Sequence, residues 1–394
     1  MQVVSQNRIG RRIVRHIEAL LRRSRGKQPI GSAEHYLSDT FHNLGYHVLE
    51  QPFSVTHMPQ LINFHVNSVA MSVLISAAFI LLESSPFGAL MLASAALTIL
   101  VLTSRWAPLS EWLLRTGRKS GTHGNNIIAM QPEQEQKITI VFEARMYHRR
   151  HSYSNALTDM LLNINAVCFF LSAFMIATVA LFQLPRMWVL VPFIPAYLIT
   201  IFLQFNRNRR TTDPVETNAT GAGVLLELAQ AFAHTESNAN VVFVASEGID
   251  KNESAAMTLM EDPSLQERFP PERTIIIVLD DVGRGSRVQI TDRFGVPAAR
   301  TGVLVSKLLQ EAVDRFGLKK DVVWQHLALN SNCLAYNSHG YQSVELSTRT
   351  AKNEPPPSQD PDDELKISLS SLEYIYALGL EIVDSIPRLR GNLH

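Results

Sequence analysis

The sequence is short of the features that usually announce a function. Only two of its 394 residues are cysteines, Cys168 and Cys333. They are far apart, so neither a disulfide framework nor a zinc-finger spacing follows, and the fold is not expected to depend on oxidising surroundings. Charge is balanced, with 36 basic and 36 acidic residues, which removes the electrostatic reason to expect nucleic acid as a partner. There are no internal repeats. Residues 1–25 lack the apolar core of a signal peptide and read as an Arg-rich amphipathic helix, with Ile9, Ile13, Ile17, Leu20 and Leu21 on one face. Such a helix either lies against anionic lipid or packs on a sheet as an ordinary first helix. Gly283-Arg-Gly-Ser286 lacks the Lys-Ser/Thr that completes a phosphate-cradling loop.

What is present is segregated. Four apolar runs cover residues 61–82, 87–103, 160–182 and 187–205, each near the ~20 residues that cross a bilayer core. Glu83-Ser-Ser-Pro86 separates the first pair and Gln183-Leu-Pro-Arg186 the second, so the pattern predicts four transmembrane helices in two hairpins. No Asp, Glu, Lys or Arg sits centrally in a run, which argues against a pump or channel. Arg105, Arg115, Arg145, Arg149, Arg150, Arg207, Arg209 and Arg210 lie on one side of the runs, whereas the far-side turns carry only Arg186. By the positive-inside rule the expected location is a four-span integral membrane protein with its soluble domain and both termini in the cytoplasm.

The remaining segments, 1–60, 105–159 and 206–394, then return to one side and can assemble into a single peptidase-like domain of about 300 residues, with 61–104 and 160–205 as the membrane hairpins. Within it, strands alternate with helices, predicting α/β: a three-layer α/β/α arrangement on a mixed, largely parallel sheet. Val241-Val-Phe-Val-Ala-Ser-Glu247 reads as a buried strand delivering Glu247 to its carboxyl end, where open α/β sheets bind ligands. Residues 125–130 and 137–143 are two β-rich runs across a polar turn, which reads as a hairpin.

The order of these pieces resembles the zinc-dependent aminopeptidases of metallopeptidase family 28, whose relatives include glutaminyl cyclases and the transferrin receptor ectodomain. The resemblance rests on Ile30-Gly-Ser32 and Gly45-Tyr46, on Asn125-Asn-Ile-Ile-Ala129, on Thr217-Asn-Ala-Thr-Gly221 leading into Leu-Leu-Glu-Leu-Ala, and on Leu279-Asp-Asp-Val-Gly283. Membrane hairpins inserted at a sheet connection depart from the secreted members. The resemblance implies two zinc ions held by His and carboxylate ligands about 2.0–2.2 Å away, with a Glu activating the bridging water.

Carried over motif by motif, the general base is Glu247, but the ligand beside it has become Gly248. The first His position is Arg145, the bridging Asp is Thr217, and the last His position is Arg349. Asp280 alone keeps a ligand. The Ser-Asp-His stretch, which binds no metal, appears as Ser331-Asn-Cys333. Arg cannot shed its proton to bind a metal. The expectation is therefore no cofactor. Arg145 and Arg349 stand in place of the ions and pair with Glu247 and Asp280, in a structural charge cluster or in an anion pocket for a peptide C-terminus or phosphate. The implied function is a binding, scaffold or regulatory subunit whose partners are the bilayer and a membrane complex or peptide ligand, as in the metal-poor nicastrin-like and transferrin-receptor-like relatives. The alternative is an active zinc metallo-aminopeptidase with a site rearranged around Glu247, Asp280 and His148 or His151.

Overall fold

The structure, a computed structural model, describes residues 2–24, 29–55, 67–103, 122–131, 138–147, 149–151, 155–205, 208–210, 217–248, 254–294, 298–325, 332–350 and 367–390. In chain order its strands are β1 (His47–Val55), β2 (Thr122–Met130), β3 (Thr139–Tyr147), β4 (Arg149–His151), β5 (Asn208–Arg210), β6 (Asn240–Gly248), β7 (Thr274–Leu279), β8 (Arg287–Phe294), β9 (Ala299–Arg300), β10 (Lys320–Gln325) and β11 (Gln342–Arg349). Nine of them form one sheet in the order β1-β2-β6-β3-β7-β11-β8-β10, with β9 paired to β8; β4 and β5 form a separate ribbon.

The four central strands β6, β3, β7 and β11 run parallel. β3, β6 and β7 carry β-branched stretches of the sequence, and β7 is buried along its whole length, as a strand covered on both faces must be. The flanks are antiparallel at β1–β2, β2–β6 and β8–β11, so the sheet is mixed. β2 and β3 do not form the hairpin that their turn predicts. β6 inserts between them, antiparallel to β2 and parallel to β3. A polar turn joins two strands equally well whether they are neighbours or next-nearest neighbours. The choice falls to β6, whose all-apolar run needs a partner on both edges.

Helices cover both faces. The helices are α1 (Gln2–Ser24), α2 (Pro29–Asn43), α3 (Asn67–Leu81), α4 (Pro86–Thr103), α5 (Asn155–Phe182), α6 (Leu190–Gln204), α7 (Ala219–Phe232), α8 (Ser254–Glu261), α9 (Pro263–Arg268), α10 (Val303–Arg315), α11 (Cys333–Ser338) and α12 (Leu369–Arg390). On one face Phe142, Phe243, Ile277 and Leu346 pack with α1, α2, α7, α10 and α12. On the other Val141, Val244, Ile276 and Val278 pack with α8 and α11. The amphipathic first helix is a sheet-covering helix: Ile13, Ile17 and Leu20 are fully buried. Gly223 lets it approach α7, since a Cβ there would stand 2.8 Å from Ile17 Cγ1. Arg12 reaches across to the buried Glu227 at 2.5 Å.

Helices α3 to α6 form a bundle with an inverted distribution of side chains. Small residues such as Ala78, Ala89, Ala93 and Ala173 fill its interior together with Ile75 and Ile176. Phe174, Leu181, Phe182, Val191 and Leu198 stand outside, 59–71% exposed, far more apolar surface than a soluble monomer presents. The four-helix transmembrane expectation needs correction here. Among the described residues only Met160–Phe182 and Arg186–Gln204 are long and apolar enough to cross a membrane; Ser68–Leu81 and Pro86–Ile99 are shorter apolar helices. Among the described residues α3 covers Asn67–Leu81, 15 residues or about 22 Å of helix against a hydrocarbon core of about 30 Å; residues 61–66 of the predicted run lie outside the described residues. The four-span topology, and the multi-pass location built on it, do not hold.

Candidate functional site

The parallel strands all end on one side, and their register sets which residues meet there. Arg145 of β3 pairs with Ser246 of β6. Ala144 pairs with Leu279 of β7, and Leu279 with Leu346 of β11. The next residue in each strand is therefore level, which aligns Arg145, Ser246, Asp280 and Ser347. The Asp280 amide donates to the Leu346 carbonyl at 3.1 Å. Alternate residues share a face, so Glu143 and Glu345, two places earlier, join them on the side covered by α8 and α11. All six are buried.

Six polar side chains on one interior face need partners, because an unpaired buried polar group is costly. Glu143 takes two from the far end of the chain. Asn332 Nδ2 donates to its Oε1 at 2.5 Å, and the Tyr336 hydroxyl donates to its Oε2 at 2.7 Å. Burial still dominates: it raises the Glu143 carboxyl to about 7, against the lowering effects of Tyr336, Asn332 and Arg145, while the charge of Asp280 raises it further. Burial also drives the Tyr336 hydroxyl well above its ordinary value. Arg145 is among the largest fully buried side chains in the protein, and its guanidinium carbon lies 5.4 Å from the centre of the Phe53 ring.

The turn before α7 braces this end of the sheet. Asn218 adopts the left-handed conformation, φ +52°, which Asn tolerates better than most residues. From there its Nδ2 donates to the carbonyls of Arg145 at 3.0 Å and Leu279 at 2.8 Å. One amide thus ties the ends of β3 and β7 together. Thr217, at the position of the bridging Asp, is buried beside it.

Arg349 lies apart from this interior group. It is half-buried, its Nη2 is 3.7 Å from Asp281 Oδ2, and its Nε donates to Gln289 at 3.2 Å. Its ion pair is thus with Asp281, one residue beyond the expected Asp280. Glu247 and Gly248 end β6 with their backbones opposite Met146 and Tyr147, while the side chain of Glu247, and His148 altogether, lie outside the described residues. The amides of Gly283 and Arg284 donate to the Thr348 hydroxyl at 2.8 and 3.0 Å, and that of Gly285 to Ser371. The loop that faintly resembles a phosphate cradle has spent these donors internally.

The zinc ions that the resemblance implies do not fit these residues. Zinc needs three or four neutral or anionic donors converging on a point. The position level with Asp280 carries a buried, permanently charged guanidinium instead. Among the described residues no group of three or more His, Cys, Asp or Glu side chains converges. Glu143, Asn332, Tyr336 and Asn218 were missed in the sequence. The signal for the first was there: Glu143 and Arg145 are two charges on one face of a strand otherwise built for burial.

Protonation of Glu143 gives a pH dependence of known sign. A carboxyl whose value is raised on folding contributes stability fully present below its unfolded value, about 4.5, and lost as pH rises through about 7. The loss accumulates between about pH 4.5 and 7 and levels off above, and His16, lowered to about 4 by burial and by Arg12, is common to both proteins and cancels in their difference. Glu143→Gln should therefore gain stability relative to the parent as pH rises across that interval, by on the order of 1–3 kcal/mol. Parallel unfolding curves for the two proteins across it would sink this assignment.

No protein-family model matches the sequence, and a search of curated proteins returns no match. Solved structures do match. A leucine aminopeptidase precursor from Bacteroides thetaiotaomicron aligns with TM-score 0.52 and 11% identity over 95% of this chain and 96% of that one. A glutaminyl cyclase from the same organism, bound to N-acetylhistamine, aligns with TM-score 0.51 and 10% identity over 95% and 97%. A zinc aminopeptidase from Bacillus subtilis aligns with TM-score 0.51 and 11% identity over 95% and 94%. Identities this low establish the fold alone: a distant aminopeptidase and glutaminyl-cyclase-like α/β/α architecture.

Proposed function

We propose that this chain is a membrane-associated member of the family 28 aminopeptidase-like proteins that has lost zinc and hydrolysis and acts by binding, as a scaffold or regulatory subunit. The carrying observation is Arg145, a fully buried guanidinium level with Asp280 at the carboxyl end of the central strands. A fixed cation there opposes a divalent metal by repulsion and removes the imidazole that would ligate it. Glu247, the relic general base on this reading, would then have no metal-bound water to activate. The buried carboxylates are held by hydrogen bonds and by Arg145 in a structural cluster.

Membrane association is supported by Met160–Phe182 and Arg186–Gln204 and by the apolar exterior of the bundle they join. On this reading residues 1–60, 105–159 and 206–394 make the peptidase-like domain and 61–104 and 160–205 its helical insertions. A peptide or a membrane-protein partner fits a domain held beside lipid. Purified full-length protein should contain well under one zinc per chain and release no amino-terminal residue or pyroglutamyl product from model peptides. Near-stoichiometric zinc that a chelator removes together with aminopeptidase activity would overturn the proposal in favour of a rearranged, working metal site.

A further inference from the structure

Two hairpin turns meet at one end of the helical bundle. Residues 82–85 join α3 to α4, and residues 183–185 join α5 to the short 3-10 turn Arg186–Val189 that leads into α6. Arg186 Nη1 lies 2.9 Å from Glu83 Oε1, tying the turns together. The Arg186 guanidinium carbon also lies 5.8 Å from the centre of the Phe79 ring. Between the turns is a cleft of about 920 Å³, near the top of the range for ligand pockets. Phe79, Leu82, Val179 and Leu190 line it, and Leu82 and Val179 are buried. The Arg186 and Glu83 side chains are 51% and 68% exposed. The cleft thus has apolar walls inside and an ion pair at its mouth.

The helix length says at what depth that mouth stands. The apolar span Met160–Phe182 has 23 residues, about 34 Å of helix against a hydrocarbon core of about 30 Å. With α5 inserted, Gln183 and Arg186 emerge in the headgroup layer while Val179 stays among acyl chains. Trp188, 52% exposed in the same turn, is the residue type that collects at this interface. Apolar walls that open toward lipid gain dispersion contacts when a chain packs between them. The mouth then selects the headgroup. A purely anionic one would meet Arg186 but be repelled by Glu83. A zwitterionic one satisfies both, with its phosphate on the guanidinium fork and its nitrogen on the carboxylate. A primary ammonium can donate hydrogen bonds to Glu83, whereas a quaternary ammonium has none to give and favours an aromatic cage. Phe79 is the one aromatic side chain among the described residues lining the cleft, and it faces Arg186.

We infer that the cleft between the two turns binds phosphatidylethanolamine, with an acyl chain between Leu82, Val179 and Leu190, the phosphate on Arg186 and the ammonium on Glu83. The inference rests on the membrane association proposed above and gives the bundle a ligand of its own. Its test uses the purified full-length chain. In liposome reconstitution the chain should enter the bilayer; a chain that stays soluble without detergent overturns membrane association itself, and with it this site. Given insertion, native mass spectrometry from micelles holding equal amounts of phosphatidylethanolamine, phosphatidylcholine and phosphatidylglycerol should show the first retained in preference to the other two.

A hydrogen bond to a charged group is worth about tenfold or more in affinity. E83Q should therefore lose on the order of tenfold in phosphatidylethanolamine retention and leave phosphatidylcholine unchanged, which erases the preference. R186Q should weaken both lipids. Neither variant threatens the fold, because exposed ion pairs contribute little to stability. The double variant E83R, R186E keeps an ion pair between the turns but reverses the order of the charges, and it should also lose on the order of tenfold. Equal retention of the ethanolamine and choline lipids, or full retention in the reversed pair, overturns the site while leaving membrane association standing. Stronger retention of phosphatidylglycerol would make the ligand an anionic lipid and overturn the role given to Glu83. Soluble glycerophosphoethanolamine that displaces the lipid at equal concentration would show that the apolar walls contribute nothing, and would overturn the lipid assignment.

Discussion

Arg145→Met lowers the unfolding free energy of the full-length protein by about 3–5 kcal/mol, measured by denaturant unfolding in detergent. Methionine matches much of the volume, so the loss is electrostatic. The guanidinium is the cation that acts on Glu143, and it stands level with Asp280 in a site where neither carboxylate reaches water. Removing one partner of a buried charge group costs far more than the group contributes net, because the others remain desolvated. A typical domain has about 5–15 kcal/mol in all, so this one change consumes a large part of it. Arg349→Met is the control: its guanidinium is half-exposed and 3.7 Å from Asp281, and such pairs contribute about 0–1 kcal/mol. Adding Glu143→Gln to Arg145→Met should recover part of the loss, with a coupling of about 0.5–3 kcal/mol. If Arg145→Met costs no more than Arg349→Met, the buried cluster is not organised around this arginine, and the case for a cation in the metal's place goes with it.

The parts of this architecture that depend on neighbours in sequence were legible. β7 is a run of β-branched residues, α10 an amphipathic turn-by-turn pattern, and α1 showed its buried stripe of Ile13, Ile17 and Leu20 before any fold was known. Strands β8 and β10 were not legible, because Arg287–Phe294 and Lys320–Gln325 mix charged and apolar residues without a clean alternation. The insertion of β6 between β2 and β3 was hidden for a different reason: it is a contact across about a hundred residues, which no local pattern encodes. The site shows the same division. Substitution of the ligand positions could be read one motif at a time. The hydrogen bonds that satisfy Glu143 come from residues 189 and 193 positions away, and only the buried charge itself could have pointed to them. Apolar run length predicts four membrane-length helices, whereas two are found among the described residues.

The turn at Asn218 allows a second large effect with an unexpected sign. In an ordinary helix Gly→Ala stabilises by about 1 kcal/mol. Gly221, in the first turn of α7, should do the reverse. A Cβ there would stand 2.8 Å from the Leu279 carbonyl oxygen and 2.4 Å from Asn218 Oδ1, and the first of these is backbone of a central strand that cannot give way. The Asn218 amide that would be displaced is the one bridging the Arg145 and Leu279 carbonyls. Gly221→Ala should therefore cost about 1–3 kcal/mol, the usual range for overpacking a filled interior. Asn218→Ala should cost about 3–5 kcal/mol, because it leaves two buried carbonyls without their donor and puts alanine in the left-handed region. Asn218→Asp is the sharper comparison. It keeps the shape but offers no donor when ionised, so it should be at least as damaging as alanine above pH 5. A harmless Asn218→Asp would mean that this side chain only fills space, and that β3 and β7 hold their carboxyl ends together without it.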